Sequence, residues 1–244
     1  MTDRAASSFG SPRRAAAEGA RRALGLPALI LGATYVGFGS LVRESGLGLW
    51  HGLFSTASAW AAPGQIALVE LYAVGASLLV IASAVALSNV RLLPMTVALM
   101  PELRGSGGGR WRYYLAAHYI AVTGWAEAMR VCPRLPPDER LPYFAAFSAT
   151  LWSVSLAATA LGFHLAGSLP ATLTLGLVFV NPIYFMLVFV TDLRHRGRML
   201  ALLSGAVLGP LLHLWTADWG LLLTGLLAGT AAFLAERAWS GRLG

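Results

Sequence analysis

The sequence predicts an all-α integral membrane protein, a polytopic bundle of about eight (seven to eight) transmembrane helices, some of them broken or re-entrant. Three observations predict it. Hydrophobic residues make up 57% of the 244-residue chain and charged residues only 12%, where an ordinary soluble domain carries about 25% charged residues. Runs free of Asp, Glu, Lys and Arg occupy 23–42, 45–69, 71–90, 141–191, 199–217 and 219–235, and a spanning helix needs roughly 20 apolar residues. No ten-residue alternation of the barrel kind occurs, so helices remain as the way for a lipid-exposed backbone to satisfy its own hydrogen bonds.

The first 22 residues, "MTDRAASSFGSPRRAAAEGARR", are small, polar and basic, and are expected to form a disordered cytoplasmic tail. Arg21 and Arg22 precede an apolar run that continues for 20 residues without a break, which predicts an uncleaved first helix rather than a signal peptide. The remainder, 23–244, is expected to be a single transmembrane domain. Its hydrophobic segments fall at about 26–43, 49–72, 75–100, 113–131, 142–165, 171–191, 199–215 and 219–236. The run 141–191 is long enough for two helices, and "AGSLP" at 166–170, with Gly167 and Pro170, marks the turn between them.

Charge placement sets the orientation. The net charge of +7 comes from 18 arginines and no lysine, and these lie between apolar runs, which points to a bilayer rather than to nucleic acid. With both termini in the cytoplasm, thirteen of the eighteen arginines fall inside. Arg43, Arg104, Arg110 and Arg112 then lie outside and Arg91 within the membrane. If 49–72 is a re-entrant hairpin instead, the basic loop 102–112 becomes cytoplasmic but "RHRGR" at 194–198 moves outside, so eight spans fit better. A lone Cys132 excludes an internal disulfide, and no Cys/His cluster has metal-ligand spacing; no metal or cofactor is expected. "GFGSLVRESGLGLWHGLF" from Gly37 echoes "GFHLAGSLPATLTLGLVF" from Gly162, a pattern compatible with an internal repeat or with chance in a chain so rich in Gly and Leu.

Few residues can carry chemistry. In "SAWAAPGQIAL", 58–68, Pro63 removes a backbone donor and Gly64 relaxes the chain just before the polar Gln65. A helix interrupted there exposes carbonyls and amides, as in the broken helices of transporters; the plainer alternative is a proline kink with Gln65 bonded to a neighbouring helix. In "LSNVRLLPMT", 87–96, Arg91 stands among apolar residues with Asn89 before it and Pro94 after it. Residues 75–88 supply about 21 Å of helix against roughly 30 Å of hydrocarbon, which puts Arg91 in the outer third of the membrane, where it can snorkel to the headgroups. Alternatively Pro94 weakens the helix and leaves Asn89 and Arg91 facing a cavity, where they can hold a carboxylate.

Asn181 and Pro182, in "NPIYF", repeat the polar-plus-proline pattern and make a third candidate lining. Glu70 and Glu127 are candidate proton sites, although Glu70 can mark the interface and Glu127 can pair with Arg130 at i+3. His51, His118, His164 and His213 fall singly on apolar segments and read as satisfied structural histidines. "GAVLG", Gly205 to Gly209, and "GLLAG", Gly225 to Gly229, fit the small-xxx-small pattern of close helix packing, within the chain or against a partner.

Four stretches taken together, "GLPALILGATYVGFGSLVRESGL" from Gly25, "SAWAAPGQIALVELYAVGAS" from Ser58, "NVRLLPM" from Asn89, and Trp152 followed by Gly162, resemble the AzlC family, the large subunits of bacterial branched-chain amino acid exporters. The resemblance runs over most of the chain. It implies a secondary exporter of neutral, mainly branched-chain amino acids in the cytoplasmic (inner) membrane, working with a small multi-span subunit of the AzlD type. Carried onto this sequence, the family's small-residue-Gln segment falls on Ala62 to Gln65 and its Asn-x-Arg on Asn89 and Arg91. Pro63 stands where the family has a small residue, and Leu92 where a histidine is common.

The reading is then that Arg91 attracts the substrate carboxylate, Asn89, Gln65 and the backbone near Gly64 bond its polar ends, and Trp60 and Trp152 border its apolar side chain. An intramembrane enzyme is disfavoured, because no Ser/His/Asp set and no paired Asp is visible. The rival that remains is a non-transporting membrane scaffold or assembly subunit.

Overall fold

In the computed structural model of the chain, residues 9–105, 109–168, 170, 172–179, 183, 196–215 and 220–240 are described. Every element among them is a helix. Where a single domain is expected, the chain divides into two compact units, Met1–Asn181 and Pro182–Gly244.

The first departure from expectation is at the N-terminus, where part of the anticipated disordered tail forms helix α1 (Pro12–Ala23). The reason is local and tertiary. The Ser11 side chain accepts from the Arg14 amide at the N-cap, and Pro12 opens the helix at the position that tolerates it. Ala15, Gly19 and Ala23, four residues apart, make one smooth buried face, while Arg13, Arg14 and Arg21 point to the exposed side. That face packs on α9 (Pro137–Leu165), and a side chain at Gly19 would run into the Tyr143 carbonyl.

Helix α2 (Leu26–Glu44) lies against α9. A Cβ on Gly39 would strike the Thr159 carbonyl, and a Cβ on Gly162 would strike the Val36 carbonyl, so the two backbones touch through reciprocal glycines. Among the described residues, three helical stretches are long and apolar enough to cross a membrane: Leu26–Glu44, Leu78–Leu103, which bends at Val90 and Arg91, and Pro137–Leu165.

The expected segments 49–72, 75–100 and 113–131 are each interrupted. The second divides into α3 (Leu49–Ala59) and α4 (Ala62–Ala73), the third into α5 (Leu78–Asn89) and α6 (Leu92–Leu103), and the fourth into α7 (Trp111–His118) and α8 (Val122–Val131). The breaks do not fall on the prolines expected to mark them. Each lies upstream: Pro63 and Pro94 occupy the first turns of α4 and α6, while α3 ends at Ala59 and α5 at Asn89, with Val90 as its cap. A proline ring clashes with the carbonyl four residues back, and in a first turn its missing N–H costs nothing, so the helix yields before the proline and restarts around it. At Trp60 the chain unwinds outright, with φ at 28°; Val90 and Arg91 keep right-handed helical dihedrals, so the second interruption is a bend. Pro182 lies outside the described residues.

After a short 3-10 turn (Cys132–Arg134), α9 runs unbroken past both buried clusters of the unit. Tyr143 and Phe144 join the cluster that holds Leu99 and Cys132, whereas Phe147 and Leu151 join the one that holds Tyr35 and Trp60. Residues 172–179 are also helical. In the second unit α10 (Arg196–Trp215) packs on α11 (Gly220–Ser240), where Gly209 would place a Cβ 3.7 Å from Thr224. Gly205, Gly225 and Gly229 have open space beside them among the described residues, so of the four glycines Gly209 alone meets a neighbour there, with room for an ordinary van der Waals contact.

Candidate functional site

The break between α3 and α4 is tied to α9 by two tryptophans, one from each side. Trp60 is buried and its indole N–H donates to Ser155 Oγ at 3.0 Å; Trp152 donates to the Ala57 carbonyl at 3.3 Å. His118 Nε2 lies 2.9 Å from the same carbonyl, and since a carbonyl only accepts, Nε2 carries the proton. These contacts occupy the carbonyl end of α3, which the break would otherwise leave open.

Gln65 is the hub below the break. Its Oε1 accepts from the Tyr35 hydroxyl at 2.8 Å, and its Nε2 donates to Ser55 Oγ at 2.8 Å and to Thr56 Oγ1 at 3.0 Å. Thr159 spends its only hydroxyl proton on the Ser155 carbonyl, so Thr56 donates to Thr159 across 3.2 Å. Both amide protons of Gln65 are committed, and its side chain ties α4 to α2, α3 and, through the threonine pair, α9. It is 1% exposed, and a buried network of this kind fixes helix positions as long as every member is satisfied.

The opposite side of α4 is unsatisfied. Its first intrahelical bond is from the Gln65 amide to the Ala61 carbonyl at 3.1 Å, and no side chain caps the amides before it. Asn89 Oδ1 is buried without a partner and sits 2.9 Å from where a Cβ on Gly64 would stand. The end of α5 therefore brings a polar atom against the positive end of α4, and the absence of a side chain at Gly64 makes the approach possible.

The remaining candidates separate. Arg91, two residues beyond Asn89, is exposed and has no hydrogen-bond or ion-pair partner among the described residues. Glu70 is exposed on α4, likewise without a side-chain partner there. Glu127 is engaged: it pairs with Arg130 at 2.7 Å, accepts from the Tyr143 hydroxyl at 2.7 Å and has Arg22 at 3.8 Å. Trp60, Gln65 and Trp152 are brought together around the α3–α4 break, and Asn89 with Gly64 beside it; Arg91 and Glu70 are not part of that cluster. Asn181 lies outside the described residues.

Sequence reading missed the partners Tyr35, Thr56, Ser155 and Thr159, and it missed the α7–α8 break altogether. Tyr119 and Ala121 from that break pack into the same apolar cluster as Trp60, Ala62 and Trp152, and the Tyr119 and Trp152 rings meet edge to face at 5.8 Å. Two interrupted helices thus meet one face of α9. No proline or internal glycine marks 119–121, so the sequence offers no local signal there.

Comparison with the curated proteins and with the solved structures gives no match. The family model described as AzlC protein matches residues 27–169, a stretch that includes the α3–α4 break, Asn89, Arg91 and the whole of α9. Covering more than half of the chain, that match shows that the protein belongs to the AzlC family, a transporter-type membrane family associated with branched-chain amino acid transport.

Proposed function

We propose that this protein is a secondary transporter that exports neutral, branched-chain amino acids across the cytoplasmic membrane, with both termini inside and with a small AzlD-type subunit beside it. One observation carries the reading: α4 restarts mid-segment with uncapped amides, and the unpartnered Asn89 Oδ1 is packed against it. Broken helices use such ends to hold the polar groups of substrates at membrane depth. Asn89 Oδ1 and the backbone at Gly64 bond the polar end of the amino acid, and Trp60 and Trp152 border its side chain. Gln65, with its donors committed, holds the break open from behind. Arg91 has no carboxylate of its own among the described residues, so it is left to draw anions towards the bend. Of the two candidate proton carriers, Glu70 is the better placed, because Glu127 is already bound by Arg130 and Tyr143.

The test is export from a deletion strain fed dipeptides of leucine, isoleucine or valine. The strain is expected to accumulate the free amino acids and to be relieved by the wild-type gene, but not by the Arg91→Ala or Asn89→Ala variants. Relief by both variants would remove the proposed site. A scaffold would show the opposite pattern, tolerating these changes and failing on bulky substitutions at Gly209.

A further inference from the structure

The α7–α8 break has the ingredients of a second anion cradle. Helix α8 makes its first intrahelical bond from the Trp125 amide to the Ala121 carbonyl at 2.8 Å, no side chain caps its N-terminus, and no acidic residue lies in its first turn. The amides of Val122, Thr123 and Gly124 therefore precede the bonded ladder at the positive end of the helix. A helix end alone would be met by water. Here Ser148 of α9, fully buried, has an Oγ with no partner, and that oxygen stands 2.6 Å from where a Cβ on Gly124 would lie. One residue further on, the Trp125 indole N–H is also buried without a partner. The uncapped amides and the Ser148 hydroxyl thus stand side by side, and no carboxylate of α8 or α9 is bonded to that hydroxyl. One turn along α9, Tyr119 and Trp152 supply an apolar wall.

We infer that the N-terminus of α8, with Gly124 and Ser148, is a carboxylate-binding site, and that the carboxylate it takes is that of an amino acid whose apolar side chain lies towards Tyr119 and Trp152. Backbone amides at a helix start together with a hydroxyl bind a carboxylate by hydrogen bonding and by the helix dipole, without a buried cation. The absence of a side chain at Gly124 keeps Ser148 close to the first turn. The identity of the ligand as an amino acid rests on the transport reading above; the carboxylate chemistry does not.

Labelling the full chain with 13C-carbonyl threonine and 15N-glycine selects two amides, Gly124 and Gly225, because Thr123–Gly124 and Thr224–Gly225 are the sequence's two Thr–Gly pairs. In lipid bilayers, leucine and acetate are each expected to shift the Gly124 amide and leave Gly225 in place. Leucinol, which keeps the side chain and ammonium but lacks the carboxylate, is expected to shift neither. Ser148→Ala is expected to weaken the leucine midpoint about tenfold, the loss of one hydrogen bond to a charged group. Its unliganded Gly124 signal at the wild-type position would show an intact fold; if the variant does not fold, the wild-type comparison of leucine, acetate and leucinol decides alone. A Gly124 amide silent to leucine and acetate, or moved equally by leucinol, overturns the site. Leucine counterflow in the same vesicles keeps the two readings apart. Counterflow with a silent Gly124 defeats the cradle and spares the transporter, whereas a Gly124 that answers acetate without counterflow does the reverse.

Discussion

Gln65 holds a position where a polar side chain is tolerated only because each of its hydrogen atoms has somewhere to go. Replacing it with leucine strands the Tyr35 hydroxyl and takes away the proton donors to Ser55 and Thr56, and each buried group left unpaired costs about 1–3 kcal/mol. Gln65→Leu is expected to lower the unfolding temperature of the detergent-solubilised protein clearly, and an unchanged temperature would mean that the network does not hold the break. Cys132 gives a second check at this scale. Burial pushes its thiol up to about 12, so the reactive thiolate is scarce at neutral pH. Maleimide is expected to label it only after unfolding in SDS, and rapid labelling of the native protein would place it at the surface. The presence of Gln65, Asn89 and the tryptophans as candidates was legible in the sequence, since polar or amphipathic residues stand out in an apolar run. Their pairings were not, because Tyr35 and Thr159 lie 30 and 94 residues away from Gln65 and have no pattern of their own.

Two of the three interrupted segments follow one rule, with Pro63 and Pro94 each ending the helix upstream and starting the next. The proline pattern therefore made the α3–α4 and α5–α6 interruptions legible, displaced by a few residues, whereas the α7–α8 break arises from packing and was invisible. Helix α1 was hidden for another reason: its polar composition reads as disorder, and only the α9 surface gives the Ala15, Gly19 and Ala23 face something to meet. Helix contacts predict stability. Gly39→Ala or Gly162→Ala drives a methyl group into a facing carbonyl and must push α2 from α9, a cost of about 1–3 kcal/mol readable as earlier thermal unfolding. The helical stability of α1 is expected to depend on pH. Hydrogen bonds from Arg21 and then Arg22 hold the Glu18 carboxyl at about 2. A lowered carboxyl value stabilises the folded arrangement above the ordinary value of 4.5, and the contribution fades as pH falls towards 2. Amide exchange in α1 is therefore expected to quicken over that acid window relative to α9, and acid-independent relative protection would show that the pairing is idle.

For the whole molecule, the composition made the membrane class plain, and the motif order made the family plain; the division into two units was not visible, because its boundary at Asn181 and Pro182 falls inside an apolar run, 171–190, that carries no charged residue. The first unit holds three elements that the proposed transport site requires: an interrupted helix with an uncapped start, a polar atom without a partner beside it, and aromatic side chains packed at the interruption. A static scaffold has no use for unsatisfied buried polar atoms, each of which costs stability, whereas a protein that binds and releases a polar molecule needs them. In the proposed function the α3–α4 break binds and moves a branched-chain amino acid. Its most direct test is the accumulation of radiolabelled leucine by proteoliposomes preloaded with unlabelled leucine, comparing the wild type with Gly64→Ala, which would press a methyl group against Asn89. Accumulation by the wild type is expected, with at least a tenfold loss in the variant, about 1.4 kcal/mol; equal accumulation by both, or none by the wild type, would rule out transport through this break.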